Sequence, residues 1–420
     1  MNNYHSTHEW IYIPRWITQN FLSALRYHPA LIITGPRQVG KSTFLQNVEP
    51  VKNWQLLTLD DLDILAQAKE EPSYLLVGKT KIVFDEVQKA PELLSEIKRF
   101  VDRHHRKVKV VLTGSANLLL MEKVSESLAG RATFFIMDTM ALRESLSQPP
   151  LKILENIFSG KWPKNTTSEN ENGTLNLPFL LFRGFLPPLI FFDDVTAIVQ
   201  WWEGYVSSFL ERDLRSLTRI DSLPDFRRLM TALALRTGQM LNQTEISRDI
   251  KIPQPTVNRY INLMEVMFLL HRLPAYSINR TKRLIKTPKI YWIDTGLIAF
   301  LAGYYDDASL YQSELWGGLF ENFVFQQLRI WCSLQIPRSR IYYWRTVTGK
   351  EVDFVIEKGQ KILGIEVKSS PEVRYRDTQN LKIFLDEYSD LAVGGIIVYT
   401  GNEIKMLSEN IVAIPWNYLV

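Results

Sequence analysis

The stretch "ALIITGPRQVGKSTFLQNV", Ala30–Val48, decides how the first third of this chain is read. "ALIIT" has the unbroken apolar pattern of a strand buried on both faces. "KSTFLQNV" has the makings of a helix. Between them the chain reads Gly35-x-x-x-x-Gly40-Lys41-Ser42. Glycines let backbone N–H groups turn inward, and the helix N-terminus adds partial positive charge. A loop of this kind, between a strand and a helix, is built for phosphate oxygens. The spacing assigns nucleotide contact to Gly35, Pro36, Arg37, Gln38, Val39, Gly40, Lys41, Ser42 and Thr43. Lys41 is placed to reach the β- and γ-phosphates, and the Ser42 hydroxyl to ligate Mg2+. ATP and Mg2+ are the expected cofactors.

Working outward, short apolar runs alternate with helical patterns up to about Leu146, the rhythm of a parallel, doubly wound α/β sheet. The runs are "ALIITG", "NWQLLTLD", "KIVFDE", "VKVVLTGS" and "ATFFIMD". "KIVFDEVQKAP" delivers Asp85 and Glu86 at a strand's C-terminal end, where ligands of open α/β sheets bind. Asp85 is expected to hold Mg2+ through water, and Glu86 to orient or deprotonate an attacking water. "VVLTGSAN" ends another strand in polar residues, of which Ser115 is placed to touch a γ-phosphate. Arg131, in "SLAGRATFF", has two readings. It stabilises transition-state charge, in cis or from a neighbouring subunit, or it is a surface arginine paired with Glu126.

These motifs resemble the AAA+ superfamily. Within it the chain is similar to a prokaryotic ATPase family that carries a C-terminal domain of unknown function with a restriction-endonuclease-like fold. The likeness continues through "RGFLPPL", "ERDLRSL", "YWIDTGL" and "FENFVFQQL" to "EVDFVIE" and "IEVKSS". It implies an ATPase module, a helical middle and a nuclease-like end. Oligomers in which one subunit's arginine completes another's site are implied by analogy alone.

Composition sets the outer limits. The chain has 420 residues, 46% apolar and 22% charged, which suggests a globular protein of two to three domains. A net charge of +4 permits an acidic polymer as partner without demanding one. One cysteine, Cys332, excludes an intrachain disulfide and suits a reducing cytoplasm. "MNNYHSTHEW" lacks a basic-then-apolar leader pattern. "LPFLLFRGFLPPLIFF" is broken by Arg183, Pro187 and Pro188, so a buried segment is expected rather than a membrane span. The expected domains are 1–146 for the ATPase, 147–193 for a connector with an exposed polar loop, 194–290 for a helical and winged-helix-like region, and 291–420 for the nuclease-like α/β domain.

In the middle, "LNQTEISRDIKIPQPTVNRYINLMEV" predicts helix, tight turn, helix. Glu245–Ile250 form the first helix and Pro255 suits the first turn of the second. Val257, Ile261 and Met264 make a buried face, and Thr256, Asn258, Arg259 and Asn262 an exposed one suited to a DNA groove. Downstream, Arg280, Lys282, Arg283, Lys286 and Lys289 have no acid among them and predict a basic wing on phosphates. A spacer or protein-docking module is the alternative.

The C-terminal third carries Asp353 in "EVDFVIE", then Glu366 and Lys368 in "ILGIEVK". A two-residue turn at Gly359-Gln360, with glycine first, suits type II′. Counting back from Lys358 opposite Lys361 sets Asp353 across from Glu366, with both carboxylates on one face for a single divalent ion. Lys368 would position water or stabilise phosphoryl charge. By the resemblance, Glu321 is the acid of the preceding helix and completes the set. Two functions stay open. One is an ATP-dependent nuclease or DNA-remodelling factor. The other is a nucleotide-switched regulatory or scaffold protein whose last domain only docks a partner.

Overall fold

The computed structural model of the chain describes residues 11–114, 128, 130–164, 166–167, 175–208 and 222–420, without the side chains of Lys282 and Leu284. Ser115, Glu126 and "ERDLRSL" lie outside these residues. The chain divides into two units. The first is Met1–Met140 with Leu186–Phe191 and Val266–Phe268, and the second is Ala141–Phe185, Phe192–Glu265 and Leu269–Val420.

In the first unit the helices are α1 (Thr18–Tyr27), α2 (Lys41–Asn47), α3 (Leu62–Glu70) and α4 (Glu92–Arg103). The strands are β1 (Ala30–Thr34), β2 (Gln55–Thr58), β3 (Lys81–Asp85), β4 (Lys109–Thr113) and β5 (Ala132–Ile136). All pair in parallel, in the order β2-β3-β4-β1-β5. The apolar strand runs thus become the expected parallel sheet. β1 lies between β4 and β5 and is buried at every residue. Helices cover both faces, as the alternation within β5 shows. Phe134 joins the cluster of Ile97, Phe100 and Leu112, while Phe135 packs edge-on against Phe21 from α1. On α4 the buried set Leu93, Leu94, Ile97, Phe100 and Val101 follows the helical repeat and seals one of these faces.

The second unit holds helices α5 (Leu177–Arg183), α6 (Val195–Ser208), α7 (Leu223–Ala234), α8 (Gln243–Ile250), α9 (Gln254–Val266), α10 (Arg280–Ile285), α11 (Thr295–Ala302), α12 (Trp316–Leu334) and α13 (Gln379–Glu387). Its strands are β6 (Thr166–Thr167), β7 (Leu270–Leu273), β8 (Lys289–Trp292), β9 (Arg340–Arg345), β10 (Glu351–Lys358), β11 (Lys361–Lys368), β12 (Ala392–Tyr399), β13 (Glu403–Ser408) and β14 (Ile411–Pro415). β7 and β8 form an antiparallel pair, and the others form a mixed sheet in the order β6-β13-β14-β12-β11-β10-β9. The hairpin register is the one the turn predicts, Lys358 opposite Lys361, with a positive φ of 64° at Gly359. β11 and β12 are parallel, with α13 as the crossover. Gly364 and Gly395 let α13 sit close, since a Cβ on either would come within 3.0 Å of Leu381.

Two expected boundaries shift. The one at 290/291 falls inside β8, because β7 and β8 pair across it. The expected 147–193 connector is divided between the two units. Leu177–Phe185 belongs to the second unit and Leu186–Phe191 to the first.

α8 and α9 form the expected helix-turn-helix, with Val257, Tyr260, Ile261 and Met264 buried. Beside it, two motifs that carried the family resemblance interlock. Asp294 is fully buried and caps α11. Its Oδ1 accepts the Gly296 N–H at 2.8 Å, and its Oδ2 accepts the Phe185 N–H at 2.7 Å. Burial raises its pKa to about 7, against the pull of those N–H groups and of Arg183. Gly184 has φ 87°, and a Cβ there would overlap the Asp294 carboxylate. A Cβ on Gly296 would lie 2.6 Å from the Arg183 carbonyl oxygen. Gly184→Ala is therefore expected to cost on the order of 3 kcal/mol or more, since neither backbone nor buried acid can yield. Urea denaturation followed by near-ultraviolet circular dichroism reads the loss. An unchanged midpoint would mean that Asp294 leaves its place freely.

Candidate functional site

The loop Gly35–Gly40 leaves the C-terminal end of β1 and enters α2. Its shape demands glycine at the ends. Gly35 has φ 145° and lies so close to the Met137 backbone that a Cβ would overlap the Met137 carbonyl. Gly40 has φ 86° at the α2 N-cap, where a side chain would be strained. Lys41 is buried, and its Nζ donates to the carbonyl oxygens of Pro36 at 2.8 Å and Gly35 at 3.2 Å. The ammonium thus lies inside the ring of loop backbone that a phosphate would enter. Ser42 Oγ donates to Asp85 Oδ2 at 2.6 Å, and Thr113 Oγ1 donates to Asp85 Oδ1. Two strand ends and the helix start therefore converge on one carboxylate. Glu86 follows with φ 56°, its carboxylate accepting from Gln88.

Arg15 is a residue the sequence reading missed. Its guanidinium is buried and donates to the carbonyl oxygens of Val39 at 2.6 Å, Asp138 at 2.7 Å and Thr139 at 3.2 Å. It ties the loop to the chain leaving β5. The only signal for it was a lone arginine in the apolar "IYIPRW". A cavity of about 570 Å³ opens beside the loop, lined by Tyr12, Ile13, Gly40, Thr43, Met140 and Pro187 among others. Its size suits a small organic ligand.

Arg131 is not at this site. It precedes β5, at the opposite end of the parallel sheet from the loop. There it pairs with Asp102 through two hydrogen bonds of 2.7 and 2.9 Å. A strand's length of roughly 15 Å separates the two ends. An in-cis role at the loop does not fit that position, and Asp102 is a partner that Arg131 has among the described residues.

The second cluster lies within the other unit. α12, β8, β10 and β11 bring together Glu321, Lys289, Tyr291, Glu351, Asp353, Glu366 and Lys368. Lys289 Nζ lies 2.6 Å from Glu351 Oε1, 2.9 Å from Glu321 Oε1 and 3.7 Å from Asp353 Oδ1. Lys289 is 4% exposed. Tyr291 Oη donates to the same Glu321 oxygen at 2.5 Å. The β10–β11 register follows the count from Lys358 opposite Lys361 to Phe354 opposite Ile365, the pair next to Asp353 and Glu366. On the other side of β10 the β9 register shifts between Val352 and Val355, and Asp353 Oδ2 accepts the Val367 N–H at 2.8 Å. Glu366 Oε1 accepts from Lys368 Nζ at 2.9 Å, while its buried Oε2 has no hydrogen-bond partner.

Burial pushes the carboxyl pKa values up, to about 7 for Glu321 and about 8 for Glu366, with the charge of Asp353 adding to each. Asp353 is also raised by burial, against the pull of Lys289 and the Val367 N–H. Burial works against the charge on Lys289, but Glu321, Asp353 and Glu351 outweigh it and hold its pKa above the usual lysine value. Among the described residues no group of three or more His, Cys, Asp or Glu side chains is arranged to hold a metal ion.

The expected basic wing is also redrawn. Lys289 is spent inside the acid cluster. Arg283 is 8% exposed and makes a two-point pair with Glu357 at 2.9 and 3.0 Å. Locally the segment has no acid, but the sheet supplies one to each of these cations. Arg280 and Lys286 stay exposed, as do Asn258, Arg259 and Asn262 on α9.

Comparison with known proteins agrees with the first site. Residues 27–146 match the AAA domain family. Residues 174–308 and 316–419 match two families described as domains of unknown function, DUF8612 and DUF4143. Among solved structures, a Walker-type ATPase of Pyrococcus abyssi is 16% identical, covering 69% of this chain and 96% of its own, with a TM-score of 0.45. The RuvB branch-migration motor of Thermotoga maritima is 14% identical over 62% of this chain and 90% of its own, at a TM-score of 0.32. No helix among the described residues is long and apolar enough to cross a membrane. An uncharacterized protein of Haemophilus influenzae is 24% identical over 68% of this chain and 65% of its own. Uncharacterized protein Rv2008c of Mycobacterium tuberculosis is 30% identical over 93% of this chain and 81% of its own length. With that identity along most of its length, the chain belongs to the same family as Rv2008c, and its residues 27–146 match the AAA domain.

Proposed function

We propose that this chain is a Mg2+-dependent ATP hydrolase whose second unit, nuclease-like in arrangement, docks nucleic acid and does not cut it. The convergence of Lys41, Ser42 and Asp85 at the end of β1 carries the first part. Phosphate oxygens would enter the loop and take over the Lys41 ammonium from the carbonyls of Gly35 and Pro36. The hydroxyl of Ser42 and the carboxylate of Asp85 fit a magnesium ion, being two hard oxygen donors already side by side. Held there, a magnesium ion would supply charge neutralisation to the phosphate oxygens. Glu86 orients the attacking water, and its positive φ turns it out of the strand at the sheet edge where the phosphate ends. The cavity beside Gly40 and Thr43 receives the nucleoside. Arg131 is committed to Asp102, so an arginine acting on the γ-phosphate would come from another segment or a second copy of the chain.

Three observations bear on the second unit. α12, β10 and β11 gather Glu321, Asp353, Glu366 and Lys368, which favours the nuclease-like reading of shape. The ammonium of Lys289 lies among three of the cluster's carboxylates, which disfavours cleavage. The exposed α9 face, with Asn258, Arg259 and Asn262, has the composition of a groove-reading helix, and Arg280 and Lys286 suit phosphates.

Lys41→Ala is expected to lower ATP turnover by at least about 100-fold, because the charge at the γ-phosphate is lost. Steady-state phosphate release measures it, and undiminished turnover would remove the ATPase assignment. For the second unit, duplex affinity should fall with rising salt, and Arg259→Ala with Lys286→Ala should flatten that slope by roughly one to two. Filter binding across a salt series decides it. Affinity that ignores salt would point to a protein partner.

A further inference from the structure

We infer that the ammonium of Lys289 is the resident cation of the acid cluster and excludes a divalent metal ion from it. The inference deepens the non-cutting reading of the second unit, on which it rests, and is independent of the ATP assignment.

Three carboxylates of the cluster, from Glu351, Glu321 and Asp353, face one ammonium at 2.6, 2.9 and 3.7 Å. Glu321 and Asp353 are two of the acids that a nuclease-like site would offer to a metal. Their oxygens are therefore engaged with a charge the chain itself supplies. A divalent ion bound by the same oxygens would sit at about 2.0–2.6 Å from them. It would then press against the ammonium, with little water to screen the repulsion.

Lys289 is also not free to leave. It opens β8, and β8 is gripped along its length. Asn322 of α12 accepts the Trp292 N–H at 2.7 Å and donates to the Trp292 carbonyl at 3.1 Å. Gly238 donates its N–H to Ile290 O at 2.8 Å, and Ile290 N donates to Gln239 O at 3.1 Å. Tyr291 Oη holds Glu321 from the same strand. The backbone that carries Lys289 is thus fixed from both sides, and the side chain ends where the acids meet.

Removing the ammonium should leave a site that wants a cation. Lys289→Met keeps the apolar stem and removes the charge. Glu321, Glu351 and Asp353, not arranged around a metal ion while the ammonium is there, then close by side-chain shifts on the position it leaves, and the unpartnered Oε2 of buried Glu366 belongs to the same cluster. The cation class such a set takes is a divalent oxygen-preferring metal, with Mn2+ as the convenient probe.

The experiment uses the full chain without nucleotide. Mn2+ is titrated calorimetrically into the wild type, Asp353→Asn, Lys289→Met and the double variant, and each is melted with Mn2+ and with chelator. Any ion taken by the phosphate loop appears equally in all four and cancels. The wild type and Asp353→Asn should give the same Mn2+ heat. Lys289→Met should gain one site and melt higher with Mn2+ than with chelator, and the double variant should lose both effects. A Mn2+ site in the wild type that Asp353→Asn abolishes overturns the inference. So does a folded Lys289→Met protein that gains no site. If Lys289→Met does not fold, the wild type against Asp353→Asn still decides whether the ammonium excludes the metal. Mn2+-dependent DNA cleavage by the wild type would refute the non-cutting reading by itself, whereas the titration addresses the resident cation.

Discussion

An ammonium ion almost without water joins three elements of the second unit. Lys289 opens β8, Glu321 projects from α12, and Glu351 and Asp353 begin β10. A charge buried alone would cost several kcal/mol, and a buried acid the same. Together they are tolerable only while the geometry holds, so removing any one partner leaves another uncompensated. Burial of this network restricts how β8 can lie against the β10 end of the mixed sheet. The raised pKa values of Glu321 and Glu366 record the residual strain of crowding acids in a place with few solvating partners. In linkage terms, acids whose folded pKa is raised favour the folded state at low pH and lose that advantage as pH rises through the folded value. Here the window runs from the ordinary carboxylate range up to about 7–8.

The first unit solves a different problem by local means. Its loop needs backbone conformations and close approaches that only glycine permits, at Gly35 against Met137 and at Gly40 on the α2 N-cap. Lys41, a charge of the loop, is adjacent in sequence to the glycines that shape it. Arg15, Asp85 and Thr113 come from afar. A site made this way can be read from a dozen consecutive residues, because strand, turn and helix are consecutive.

That difference explains what the sequence disclosed. The five parallel strands, the phosphate loop, the helix-turn-helix and the Lys358–Lys361 hairpin register all rest on local periodicity or turn chemistry. Each agrees with the structure. Lys289, Arg283 and Arg131 have one feature in common that their sequence neighbours do not show. Each finds an acid 29 or more residues away, as Arg131 does at Asp102. Asp353 shows a subtler limit. Counting from the turn gives its row correctly, but it does not show that its carboxylate accepts the Val367 N–H, nor that β9 shifts register beside it between Val352 and Val355. A bulge of one residue carries no compositional mark.

The motifs that carried the family resemblance therefore divide into two kinds. "GPRQVGKST" and "VFDE" place functional groups, and the likeness to ATPases follows from chemistry. "RGF" and "IDTG" hold the backbone together, with Gly184 and Gly296 yielding room that Asp294 and Arg183 fill. "FEN" does the same for β8, Glu321 through Lys289 and Tyr291, and Asn322 through both backbone groups of Trp292. Asn322 cannot be replaced by an apolar residue without orphaning a buried N–H and a buried carbonyl, each costly. A motif can thus recur because a fold needs it even where no substrate touches it. In this chain the acid of "FEN" pairs with Lys289, a lysine of the chain itself, so these letters describe part of a buried ion network.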